Sequence, residues 1–200
     1  SLLLTVPAAV ALIIIPLSLI SVIFERGAFT NLDTISTSQA LAIYGLGLPA
    51  FVLQKVLQPL FFAREDTRSP FIFALLAMFL NVSLAISLSF YVGFLAAAIG
   101  TSISSWVMIF LLWNGCKKMG HSSRIDARLK RNLPFIIVSS ILMGMVIYIV
   151  QYFLNNSLHT PNIRYLMLTI LIFSGIISYL FFINLFGIIS KQGLRTMIKK

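Results

Sequence analysis

Charge is scarce in this chain, and acid is scarcest. Only 5 of its 200 residues are acidic, and Glu25, Asp33, Glu65, Asp66 and Asp126 all fall between long apolar runs or at their edges. Paired carboxylates for general acid–base work are therefore missing from the apolar runs. The 2 histidines, His121 and His159, lie in separate polar stretches, so no metal-ligand spacing and no Ser-His-Asp set is formed. A single cysteine, Cys116, excludes an internal disulfide framework and reads as an inert thiol. Strand-like alternation, low-complexity tracts and internal repeats are also missing. These absences weigh against an enzyme. No stretch interleaves basic and aromatic residues on a water-facing surface, so nucleic acid is not the expected partner either.

What is present is apolar sequence: 59% of residues are hydrophobic and 10% charged, with mean hydropathy +1.00. An ordinary soluble domain carries about 25% charged residues. A helix needs about 20 apolar residues to cross ~30 Å of hydrocarbon. Six segments satisfy this, and they predict an all-α, polytopic bundle of about six transmembrane helices. The expected spans are Ser1–Phe24, Thr37–Phe61, Pro70–Phe90, Phe94–Gly115, Leu133–Leu154 and Ile163–Ile189. The opening run has no basic region before it and no cleavage site after it, which reads as the start of a helix in a longer protein rather than a signal peptide. Ser69-Pro70 and Asn132-Leu133-Pro134 read as helix starts, because proline lacks only an N–H that would be unpaired there. The connection at Tyr91–Gly93 is so short that its flanking helices must be antiparallel neighbours.

The 15 basic residues sort by side. If helices alternate in direction, Arg64, Arg68, Lys117, Lys118, Arg124, Arg128, Lys130, Arg131, Lys191, Arg195, Lys199 and Lys200 share one side. Arg26 and Arg164 alone occupy the other. That asymmetry is a positive-inside signal, placing both ends of the chain on the cytoplasmic side of the membrane.

Lys55 is the one basic residue inside a span. A charge there costs a few kcal/mol and usually faces a cavity or a partner. The competing reading is a lysine snorkelling to the interface. Side chains lean toward a helix's N-terminus, which here points Lys55 away from the nearer water and favours a cavity. Gln54 and Gln58 flank it on a shared face. Pro49 and Pro59 cannot donate to the carbonyls of Gly45 and Lys55, so this span is expected to kink. Freed carbonyls and amides around a lysine describe a hydrated, anion-tolerant groove. Asn81 is the deepest polar residue of the next span, and Thr101 belongs to the polar face of the one after. Gln151 and Asn184 are expected to be structural, and Trp113, Tyr91, Tyr148 and Tyr152 to form interfacial belts.

Several pieces of sequence then combine: Phe24-Glu25-Arg26-Gly27-Ala28-Phe29-Thr30; Tyr44-Gly45-Leu46-Gly47-Leu48-Pro49-Ala50-Phe51; Lys55-Val56-Leu57 with Pro59; and Phe62-Ala63-Arg64-Glu65-Asp66-Thr67-Arg68-Ser69-Pro70. Together they resemble the MurJ (MviN) family of lipid II flippases, within the multidrug/oligosaccharidyl-lipid/polysaccharide exporter superfamily. The resemblance implies a fourteen-helix transporter with two six-helix lobes and two extra helices. Residues 1–115 would be the last four helices of the second lobe, 116–132 a basic cytoplasmic loop, and 133–200 the two extra helices and a basic tail. It implies movement of an undecaprenyl-diphosphate-linked peptidoglycan precursor by alternating access, with the N-terminal remainder of the same protein and membrane lipids as partners. Lys55, Gln54, Gln58, Arg64 and Arg68 would line the cavity or meet the diphosphate. Asn81 and Thr101 look like positions where some relatives are proposed to hold a cation, although Ala85, one turn on, offers no carboxylate. No resident cofactor is expected; a monovalent cation or the membrane potential would supply the coupling. A drug exporter or an exporter of other lipid-linked oligosaccharides is the alternative.

Overall fold

A computed structural model describes residues 1–118, 127–158 and 163–187, and these are helical almost throughout. Seven helices follow in chain order: α1 (Leu2–Ile14), α2 (Pro16–Phe24), α3 (Asn31–Phe62), α4 (Arg68–Val92), α5 (Leu95–Lys118), α6 (Ala127–Leu158) and α7 (Arg164–Leu185). Helices α3 to α7 are each long and apolar enough to cross a membrane, and α1 with α2, bent by 75° at their junction, is long and apolar enough only when the two are taken together. The all-α, multi-span architecture is thus the one the composition dictates, since lipid offers backbone groups no hydrogen bonds.

The helices pack side by side in a row. α4 lies on α5, α5 on α3, α3 on α1 and α2, α1 on α6, and α6 on α7. Two apolar clusters hold the row. Leu57 and Phe61 of α3 meet Met108, Leu112 and Cys116 of α5, with Phe73 of α4 edge-on to Phe61 at 6.2 Å between ring centres. At the other end Ile15 and Val22 meet Met143 and Ile147 of α6 and Leu171, Tyr179 and Ile183 of α7. Glycines set the closest approaches. A Cβ on Gly47 would stand 2.9 Å from Ser102 Oγ, and one on Gly100 would stand 2.8 Å from Asn81 Oδ1. Small residues at such points let helix backbones meet.

Several boundaries differ from expectation. The first span is not one helix: it breaks at Ile15, just before Pro16. Conversely, α3 runs as one continuous helix through both Pro49 and Pro59. α3 also starts at Asn31, six residues before the predicted Thr37. Thr30 and Asp33 form a reciprocal capping box there, which satisfies two otherwise unpaired N–H groups. The N-cap position of α4 is Thr67, not Ser69, and it makes no side-chain cap bond; Asp66, one residue earlier, supplies the acceptor, its Oδ1 taking the Ser69 N–H at 3.0 Å, while Pro70 is the third residue of the helix. Pro134 lies inside α6 and does not start it. The ends of the expected 116–132 loop are helical, up to Lys118 and again from Ala127. Residues 119–126, 159–162 and 188–200, with His121, Asp126, His159, Arg124, Lys191, Arg195, Lys199 and Lys200, lie outside the described residues. The tight α4–α5 link is as expected: Gly93 turns the chain at φ 60°, a conformation glycine adopts without steric cost.

Candidate functional site

Polar contacts between the described spans fall in two regions, the first between α3 and α5. Along α3, the face that meets α5 carries Gly47, Gln54, Leu57 and Phe61. Three side chains cross this seam to backbone carbonyls. Ser102 Oγ donates to Ile43 O at 2.8 Å, Trp106 Nε1 to Leu46 O at 3.0 Å, and Gln54 Nε2 to Ser105 O at 3.0 Å. Two of these bonds enter α3 within one turn of Gly45, whose carbonyl Pro49 cannot serve. Neighbouring side chains thus support the backbone where a proline weakens it.

The expected site residues do not converge on a single point. Gln54 is engaged in the α3–α5 seam. Gln58 is half-buried, and Lys55 is exposed on a different stripe of α3 with Phe51, Pro59 and Phe62. That stripe carries a lysine and a carbonyl that Pro59 leaves without its helical donor. Arg64 and Arg68 are exposed at the turn into α4. Asn81 packs against Gly100, and the neighbouring Thr101 hydroxyl donates to Ala97 O within α5 at 2.7 Å.

The Arg64–Arg68 turn has a defined build. Asp66 N–H donates to Phe61 O at 3.1 Å and Glu65 N–H to Phe62 O at 3.0 Å, the paired bonds of a Schellman motif. Glu65 occupies the left-handed position, φ 59°, where glycine would be unstrained. Asp66 then accepts the Ser69 N–H at the start of α4. Hydrogen bonds from the Ser69 side chain and N–H hold the Asp66 carboxyl below its ordinary pKa. A polar cleft of about 430 Å³ opens beside this turn, lined by Phe61, Asp66, Ser69, Phe73, Asn114 and Gly115 among others.

Sequence reasoning missed the polar contacts that dock α6 and α7 onto the broken span. Gln151 Nε2 donates to Ser18 Oγ at 2.9 Å. The Tyr179 hydroxyl donates to the Leu3 carbonyl, the acceptor that Pro7 leaves free one turn later. Arg164 Nη1 donates to Glu25 O at 3.4 Å. Pro7 and Pro16 are visible in the sequence and were the available signal. An apolar groove of about 300 Å³ runs between α1, α6 and α7, past Leu3, Pro7, Met143, Ile147 and Tyr179.

Five membrane-length helices among the described residues, or six spans if the bent α1–α2 pair is counted as one, define a polytopic α-helical membrane protein. The profile of the lipid II flippase MurJ family matches residues 1–168. A protein of Rhizobium meliloti named a probable lipid II flippase MurJ is 41% identical over 151 residues, covering 74% of this chain and 28% of that protein. One of Rickettsia prowazekii with the same name is 33% identical over 159 residues, covering 80% and 31%. A solved lipid II flippase MurJ in an inward closed conformation superposes with TM-score 0.77 at 28% identity, covering 93% of this chain and 36% of that one. The chain belongs to the MurJ lipid II flippase family. It spans about a third of the length of the relatives it matches.

Proposed function

We propose that this chain forms part of a flippase that carries a lipid-linked peptidoglycan precursor from the cytoplasmic to the outer leaflet of the bacterial inner membrane by alternating access. The observation that carries this reading is the family match over residues 1–168, joined to the structural likeness at TM-score 0.77. The one-sided distribution of basic residues supports a topology in which the α3–α4 turn and both chain ends face the cytoplasm. A diphosphate headgroup cannot cross hydrocarbon without a polar path. On this reading Lys55 and the free carbonyl beneath it supply part of that path, through charge-assisted hydrogen bonds in a low dielectric. Arg64 and Arg68 raise the local concentration of anionic headgroups at the inner surface, an effect that salt weakens. Coupling to a monovalent cation or to the membrane potential belongs to the same proposal.

Depletion tests it. Loss of the protein is expected to trap lipid II in the inner leaflet, and normal labelling of outer-leaflet precursor would refute the reading. Lys55→Ala, at normal expression, is expected to fail in growth complementation. Full complementation would remove Lys55 from the path.

A further inference from the structure

Only two basic residues, Arg26 and Arg164, belong to the side opposite the basic ends, and they are 138 positions apart in the sequence. The fold brings them to one corner. Arg164 opens α7 and donates from Nη1 to the carbonyl of Glu25, the residue before Arg26. Its Nη2 donates to the Tyr165 hydroxyl at 3.2 Å, and the guanidinium carbon lies 5.0 Å from the centre of the Tyr165 ring. Its Nε is buried and has no hydrogen-bond partner. A guanidinium carries five donors; the described residues serve two, one of them at the long limit, and with Nε enclosed the open donors are the remaining ones on Nη1 and Nη2. Arg26 is exposed on a tight turn, in which its N–H donates to Phe24 O at 2.7 Å and Gly27 adopts φ 63°.

The neighbouring residues fit a membrane interface. Phe24 and Phe29 meet with ring centres 6.2 Å apart and planes tilted by 41°, and Tyr165 supplies an amphipathic aromatic of the kind found at headgroup level. Glu25 and Asp33 belong to the same end and balance the two positive charges. Asp33, however, already accepts from the Thr30 N–H at 2.9 Å and the Thr30 hydroxyl at 2.7 Å. What the corner has in excess is therefore directed donors rather than net charge. Planar guanidinium forks match phosphate oxygens in pairs.

We infer that Arg26 and Arg164 form a phosphate-binding corner at the outer membrane surface, which takes the phosphate or diphosphate headgroup of a lipid in the outer leaflet. The placement rests on the topology proposed above; the phosphate chemistry does not. On this reading α7 does more than extend the bundle, because it delivers the second guanidinium to a turn at the end of α2.

Binding to the full chain in detergent micelles tests it, measured by native mass spectrometry with three probes: undecaprenyl diphosphate, phosphatidylglycerol and the phosphate-free undecaprenol. Replacing both residues (Arg26→Gln with Arg164→Gln) is expected to weaken undecaprenyl diphosphate binding about tenfold, the size of one lost charge-assisted hydrogen bond. Undecaprenol binding should not change. Arg26→Gln alone changes an exposed side chain, leaves packing intact and is expected to lose about threefold by the same reasoning. A loss for the diphosphate alone assigns the corner to the transported headgroup. An equal loss for phosphatidylglycerol assigns it to bulk phospholipid. Both results uphold a phosphate site. Unchanged affinity for both phosphate lipids in Arg26→Gln and in the double variant overturns it. Labelling of Arg26→Cys in intact cells with a membrane-impermeant thiol reagent reads the side separately. Labelling from the cytoplasmic face only overturns the outer placement. If the variants show these losses but the unsubstituted protein does not flip lipid II, the site stands and the transport reading falls.

Discussion

The two proline-bearing spans of this molecule behave in opposite ways. α3 carries Pro49 and Pro59 and remains one helix over 32 residues. The first span carries Pro7 and Pro16 and breaks by 75° at the second of them. Proline removes one donor and crowds the carbonyl four residues earlier in both cases. The difference lies in what surrounds it. Beside Pro49, Ser102 and Trp106 donate into the α3 backbone, and Gly47 lets α5 come close enough to do so. Before Pro16 stand three isoleucines, Ile13 to Ile15, which are β-branched and poor at holding a helix. Ile15 is only 2% exposed, packed with α6 and α7, and Gln151 binds Ser18 just beyond the break. Prolines 7, 49 and 59 all lie within unbroken helices, so proline alone does not produce the break. Tertiary contacts decide whether a weakened helix continues or turns.

Three substitutions probe this contrast. The largest effect is expected from Gly47→Val. Its Cβ would stand 3.2 Å from Ser102 Cα, so backbone must shift, and overpacking of this kind costs about 2 to 3 kcal/mol. Thermal or denaturant unfolding in detergent measures it, and a wild-type midpoint would show that the α3–α5 seam is loose. Gln151→Leu removes the bond to Ser18 and is expected to cost about 0.6 to 1 kcal/mol, the usual range for an interhelical hydrogen bond in a membrane. The same unfolding measurement reports it, and a gain in stability would remove Gln151 from the forces holding the break. Pro16→Ala is expected to change the shape least. Spin labels at the exposed positions 4 and 23, with Cys116 replaced by Ala, should keep their separation in pulsed dipolar spectroscopy. A lengthening of roughly 6 Å, which follows from straightening the span at 1.5 Å per residue, would mean that the proline alone sets the bend.

Much of this architecture was legible because membrane spans declare themselves locally. Hydropathy located every span, and the shortness of Tyr91–Gly93 paired α4 with α5. What escaped notice depended on residues far away or on turn geometry. Gln54 reads as a cavity amide from its neighbours, yet its partner, Ser105, is 51 residues on. Gln151 was read as structural, but its partner Ser18, 133 residues earlier, could not be named. The α3 start was missed because Asn31 to Gln39 is polar, so an apolar window stops short of a helix that its capping box begins earlier. Ser69 reads as the cap because Ser-Pro resembles a helix start, whereas after a Schellman turn with Glu65 at φ 59° the helix begins at Arg68, with Thr67 at the N-cap position and Asp66 accepting the Ser69 N–H. Lys55 stands out in any reading of the sequence; its exposed stripe on α3 acquires a meaning only through what faces it.

The length of α3 has a mechanical corollary. Thirty-two residues make a rod of about 48 Å, while the hydrocarbon layer is about 30 Å thick. Either the rod leans steeply, or its polar first turns stand clear of the bilayer like a mast above a deck. A small rotation about its base, where Phe61 is wedged beside α5, would sweep the far end, in which Thr34 and Ser38 are buried, through a much wider arc and carry the packed α2 with it.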